Sequence, residues 1–250
     1  MIPDRFHGLG RRHAPDPRDA RFTFRKLQPK LGVFARIREW FKAQVTSKTW
    51  TTGPVLDQGE TPQCVGYSWE GFLQAEPLMT MDGPTPQEIY DGAQQNDEWP
   101  GPPPAYNGSS VRGGAKALQL MGRIESYHWA ESAADIRRYI QTQGPVVMGT
   151  MWYYDMFFPQ NHNGYLKPTG ELAGGHAWLV VGYDAKRRAF LMQNSWGPDW
   201  GTQGRAWVRF DDLDTLLKQS GEACAAVEAV PESYARKTND NAIIRVKNKG

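Results

Sequence analysis

The strongest constraint on this chain is the wide separation of four side chains whose chemistry is useful only in contact. Gln58 and Cys64 share the stretch DQGETPQC, whereas His176 heads HAWLVVGY and Asn194 opens NSWGPDWG. HAWLVVGY is an almost unbroken apolar run rich in Val and Trp, which predicts a strand buried on both faces. AFLMQ, just before Asn194, predicts a second strand. A hairpin across YDAKRR then returns Asn194 to the side of His176, and the separation of the two suits one strand, one turn and one strand.

Each residue type answers a chemical need. A thiol with a pKa of about 8.5 is mostly protonated at neutral pH, so a nucleophilic cysteine needs a nearby imidazolium or a helix N-terminus to hold it as thiolate. The residues after Cys64 (Val65 to Ala75) contain no proline and predict a short, buried helix whose free N–H groups point at the sulfur. His176, fixed at the mouth of its strand, is a candidate general base. Asn194 can accept the imidazole N–H and fix its tautomer. Gln58, with the backbone N–H of Cys64, can hold the oxygen of a tetrahedral intermediate. Read alone, DQGETP is equally a polar turn.

In this order the four residues resemble those of papain-type cysteine peptidases. The family pattern of an oxyanion Gln, a Cys six residues on at a helix start, a His before a buried strand and an Asn in an NSWG word matches Gln58, Cys64, His176 and Asn194. The resemblance covers roughly residues 50 to 230. It implies an α+β, papain-like two-lobed fold, a helical lobe packed on an antiparallel β-barrel-like lobe, and peptide hydrolysis through a thioester without a cofactor or metal. It further implies that Trp196 shields the Asn and His pair, with Trp200 in the same wall, that Asn107, Gly108 and Ser109 bind substrate backbone, and that Gly149 and Ala177 border a roomy pocket for the residue second from the cleavage point. Small residues there also permit close strand packing. The chain departs from the family pattern at Thr61, where a second cysteine is usual, at Val65 in place of Trp, at Pro62 in place of Gly, and at Gly174 and Gly175, where many relatives are acidic.

Punctuation divides the chain into an N-terminal arm (1–48), a helical lobe with the nucleophile (49–143), a β lobe with His and Asn (144–230) and a polar tail (231–250). The arm carries one expected helix, LGVFARIREWFKAQV. The family's inhibitory pro-segment is generally much longer, so the arm is expected to be a brace. Further helices are expected after a Thr85, Pro86, Glu88 capping box, from Ser110 to Met121, and from Ser132 to about Thr142. EWPGPPPAYNGSS, broken by prolines, is expected as a surface loop. Strands are expected at PVVMGTMW, RAWVRF and ACAAVEAV, with DDLDTLLKQS a helix between the last two.

With 250 residues, 40% of them apolar, the chain can bury a two-lobed core. Cys64 and Cys224 are the only cysteines, so a bridge would consume the nucleophile, and a reducing compartment is expected, cytoplasmic or virion-associated. Cys224 is expected as an inert core thiol. The N-terminus lacks the apolar segment of a secretory signal, and no apolar run is long enough for a membrane span. The net charge of +2 favours neither a nucleic-acid nor a membrane partner. Short basic clusters in the arm (Arg5, Arg11, Arg12; Arg21, Arg25, Lys26, Lys30) suit solvent, or docking of arm and tail on a neighbouring subunit or larger assembly. A papain-fold structural or binding module in a viral or cellular assembly is the alternative reading of the whole chain.

Overall fold

The expected hairpin forms the middle of the protein. A computed structural model describes residues 8–27, 33–97 and 107–229. In chain order these hold α1 (Val33–Val45), β1 (Lys48–Thr49), α2 (Cys64–Leu73), α3 (Pro86–Asn96), α4 (Val111–Leu120), β2 (Ile124–Trp129), α5 (Ala133–Thr142), β3 (Val146–Tyr153), β4 (Leu172–Asp184), β5 (Ala189–Gln193), β6 (Arg205–Arg209), α6 (Phe210–Lys218) and β7 (Glu222–Glu228). The strands form one antiparallel sheet in the order β2-β7-β3-β4-β5-β6, with β1 also paired to β4.

The apolar runs are continuous because the central strands are buried on both faces. Along β4, Trp178 and Val180 enter one core with Met148, Ala223 and α5, while Ala177, Leu179 and Val181 enter a second core with α2, α4, Val147 and Cys224. The alternation follows directly from the period of two along a strand. It also places Cys224 inside, fully buried and free.

The helix starts follow the expected chemistry. Thr85 accepts from the Glu88 N–H while the Glu88 carboxylate accepts from the Thr85 N–H, a reciprocal cap on α3. Ser110 caps α4 through the Gly113 N–H, and Ser132 caps α5 through the Asp135 N–H. Two elements cut across the expected division at residue 143. Strand β2, not anticipated from IESYHW, pairs with β7, and Ile136, Tyr139 and Ile140 of α5 pack into the same core as the sheet. The tail and most of the proline-rich loop lie outside the described residues.

Candidate active site

Helix α2 places its first residue, Cys64, against the sheet. The sulfur accepts a hydrogen bond from the N–H of Ala177, the residue after His176, at 3.4 Å. Eight of the ten α2 residues are buried, Cys64 fully so.

His176 projects from β4 into an aromatic box. The Trp196 ring stacks on it at 4.6 Å and the Trp152 ring meets it edge-on at 4.8 Å. Trp200 and Phe157 complete the wall behind Trp196 at 5.6 and 5.3 Å. Trp152 and Phe157 were not singled out in the sequence, where they look like ordinary core aromatics; only the pairing of Thr150 with His176, which brings the end of β3 alongside, reveals their place.

Asn194 arrives as the hairpin predicts. Its Oδ1 lies 2.7 Å from His176 Nε2 and also accepts the Ser195 N–H at 2.9 Å. An amide oxygen cannot donate, so Nε2 carries the proton and the neutral ring presents Nδ1 as its acceptor. Nδ1 makes no hydrogen bond among the described residues. No hydrogen bond therefore joins the Cys64 sulfur to a ring nitrogen of His176 in this state.

Gln58 is held at both ends of its amide. Its Oε1 accepts from Ser195 Oγ at 2.6 Å, which turns Nε2 outward as a donor. That donor meets the Thr61 carbonyl and, at 2.6 Å, the carbonyl of Gly8. Ser195 thus joins the NSWG word to the DQG turn, a role its type alone did not announce.

Gly8 belongs to the N-terminal arm, whose described residues lie against the body of the same chain. Here the arm lies in the cleft. The Arg11 N–H donates to the Gly175 carbonyl at 3.0 Å, the Arg12 N–H donates to the Ser109 carbonyl at 2.8 Å, and the Gly10 carbonyl accepts from the Ser109 N–H at 2.9 Å. The physical reason is local: Gly8 and Gly10 let the backbone press where no side chain fits. A Cβ on Gly10 would come within 2.0 Å of the Pro62 carbonyl oxygen, and one on Gly108 within 2.0 Å of the Gly10 oxygen. Gly108 and Ser109 therefore flank the arm as they were expected to flank substrate, while Asn107 is exposed. Gly175, where relatives are often acidic, admits the Arg11 carbonyl; a Cβ there would meet it at 2.2 Å.

The cover sets the electrostatics. Burial pushes the Cys64 thiol up to about 11, opposed by the backbone N–H groups of Ala177, Gly10 and Val65 and by the Arg11 charge. Burial also lowers His176 to about 4, with the Asn194 hydrogen bond pulling the other way. Between those values the pair rests as neutral thiol and neutral imidazole. Among the described residues no cluster of His, Cys, Asp or Glu could hold a metal ion.

Residues 88–242 match the pattern of the papain family cysteine proteases, more than half of the chain. The chain belongs to the papain family. Among its relatives are a cathepsin B-like cysteine proteinase of Schistosoma japonicum, 35% identical over 82 residues that make up 32% of this chain and 24% of that protein, and cathepsin B-like cysteine proteinase 3 of Ostertagia ostertagi, 35% identical over 32% of this chain and 46% of that protein. The family chain thus spans about a quarter to a half of the length of these curated relatives. Its fold is similar to that of xylellain, a cysteine protease from Xylella fastidiosa, with a TM-score of 0.66 and 18% identity over 92% of this chain and 99% of that one. It is also similar to digestive procathepsin L 3 of the Tenebrio molitor larval midgut, with a TM-score of 0.54 and 16% identity over 74% and 70% of the two chains. These likenesses agree with the expected α+β two-lobed fold.

Proposed function

We propose that this chain is a cysteine peptidase that hydrolyses peptide bonds in peptide or protein substrates, and that the described form is latent, covered by its own arm. The observation that carries the reading is the oriented His176, with Nε2 committed to Asn194 and Nδ1 free, next to a cysteine at a helix start. With the arm displaced, a proton passes from Cys64 to His176 Nδ1, and the thiolate attacks the substrate carbonyl carbon. Gln58 Nε2 and the Cys64 N–H hold the resulting oxyanion. His176 then gives its proton to the leaving amine, leaving a thioester. Water, deprotonated by His176, attacks the thioester and expels the Cys64 thiolate. Asn194 orients the ring throughout, and Trp196 and Trp152 keep water from the His176 to Asn194 bond.

The carbonyl of the arm held by Gln58 is that of Gly8, whereas the N–H facing the sulfur is that of Gly10. The closed cleft also favours a second reading, a papain-fold binding module that never opens. Free thiols at Cys64 and Cys224 fit a reducing compartment, cytoplasmic or virion-associated, and no described helix is long and apolar enough to cross a membrane.

The two readings separate with a variant in which Arg11→Ala loosens the arm. A peptidase gives an Arg11→Ala protein that cleaves unfolded casein and is labelled on Cys64 by an epoxide thiol reagent, both lost in Arg11→Ala with Cys64→Ala. Labelling without cleavage supports the binding module.

A further inference from the structure

Two buried polar atoms beside the His176 and Asn194 pair make no hydrogen bond among the described residues: Asn194 Nδ2 and Ser68 Oγ. Asn194 is 3% exposed and Ser68 4%. Asn194 follows β5, whereas Ser68 lies one turn beyond Cys64 on α2, on the face of the helix that carries the sulfur. Both residues line one small cavity, walled also by Leu56, Gly71 and Leu179. The space in it open to the centre of a water-sized sphere is about 10 Å³, which is the room for one water.

Packing does not force position 71 to be a glycine. Gly71 lies inside α2, where alanine is the better helix former, and a Cβ there would meet nothing closer than Leu179 Cδ2 at 3.7 Å. A methyl group would therefore fit, and it would enter the cavity. The polar chemistry of the walls says what the space suits. Asn194 Oδ1 already receives the N–H groups of His176 and Ser195, so the amide has only its Nδ2 donor left to satisfy. A water accepts from Nδ2 and donates to the Ser68 hydroxyl oxygen, which meets both buried atoms at once; either one left without a partner is disfavoured.

We propose that the cavity holds one structural water that joins Asn194 to the helix of Cys64, and that Ser68 is a positioning residue acting on His176 through that water and Asn194. The Ser195 N–H sets which end of the amide faces His176. The water holds the other end, so the amide plane does not swing and Oδ1 stays in line with Nε2. Because the link crosses from α2 to the sheet, it keeps the base in register with the nucleophile when the arm leaves. The kinetic form of the proposal rests on the peptidase reading, whereas the water and its effect on the His176 ring do not.

A crystal structure of the full chain should show one water within hydrogen-bond distance of both Asn194 Nδ2 and Ser68 Oγ. Isotopically labelled histidine then reports the His176 Nε2 proton by NMR. Ser68→Ala removes the hydroxyl, and Gly71→Ala fills the cavity while leaving every polar group in place; both should shift that resonance and speed its exchange with solvent. Thermal unfolding of each variant checks that the fold is kept. Kinetics use the Arg11→Ala background, which removes the Arg11 side-chain hydrogen bonds to Glu222 and to the Ser220 carbonyl. There each substitution should lower kcat on fluorescein-labelled casein about tenfold, with KM changed less than about twofold. Neither should lower kcat further once Asn194→Ala is present. If no variant cleaves casein but the water is found and the Nε2 proton responds, the peptidase reading fails and the assignment stands. A cavity without water, an Nε2 proton indifferent to both substitutions, or the same loss of kcat with and without Asn194 overturns it.

Discussion

At the scale of single residues, the site is a chain of hydrogen bonds in which each member fixes the next. Ser195 is its junction, since its N–H holds Asn194 Oδ1 and its hydroxyl holds Gln58 Oε1. In the Arg11→Ala background, Gln58→Ala should lower kcat by about 100- to 1000-fold, the range for one oxyanion donor. Ser195→Ala should lower it by less, because the donor remains but is free to turn. Steady-state kinetics on one peptide amide measure both, and a Ser195→Ala enzyme with unaltered kcat removes the hydroxyl from the network. The four side chains proposed for catalysis, Gln58, Cys64, His176 and Asn194, stand out in the sequence because each sits in a word with distinctive neighbours. Arg11 and Glu222 do not. An arginine in a basic arm and a glutamate at the head of EACAAVEAV carry no local mark of their hydrogen bond, because the two are joined only by the fold.

At the scale of elements, the active-site helix is positioned by a close crossing with α4. The Trp69 indole lies against Gly114, donates to the Val111 carbonyl at 3.0 Å and leaves no room for a side chain; a Cβ on Gly114 would meet Trp69 Cδ1 at 2.3 Å. Gly114→Ala must therefore push Trp69 and the helix that begins with Cys64. Overpacking of this kind costs about 1–3 kcal/mol, and urea unfolding followed by Trp fluorescence should show a lower midpoint at unchanged slope. The helices and most strands were readable from caps and apolar runs. Strand β2 was not, because Glu125, Ser126 and His128 break its apolar pattern and its strand character comes from the register with β7. The path of the arm was equally hidden, since it pairs through backbone groups of Gly10, Arg11 and Arg12 that any sequence possesses.

At the scale of the whole molecule, the arm is in two parts with different duties. Residues beyond the cleft are anchored to the body: Asp19 pairs with Arg112, the Phe22 carbonyl accepts from the Trp129 N–H at 2.7 Å, and Phe24, 1% exposed, packs on Tyr139 at 4.6 Å. Among the described residues of the arm, the stretch from Gly8 to Arg12 is the part that covers the site. This division makes opening sensitive to pH, and the sign is fixed by three groups. His176 titrates at about 4 when covered, below its ordinary 6.5, so acid favours whichever state lets it take a proton, the open one. Glu222 is pushed up by burial and pulled down by the Arg11 charge and hydrogen bond; when Arg11 leaves, that downward pull is lost, so a proton on Glu222 favours the open state and acts in the same direction. Cys64, raised to about 11 when covered, favours opening only toward alkaline pH. The cover is therefore tightest near neutrality and loosens as pH falls from about 6.5 toward 4. Labelling of Cys64 by a neutral epoxide, corrected for reagent reactivity and compared with a chain shortened to begin at His13, should show it. In the full chain the labelling rate relative to the shortened chain should rise at least several-fold between pH 7 and pH 4.5, and Glu222→Gln should raise it already at pH 7. Phe24→Ala should instead lower stability by about 3–5 kcal/mol while leaving the pH dependence of labelling in place. A relative rate that is flat, or that falls toward acid, means that the arm is not held by these charges.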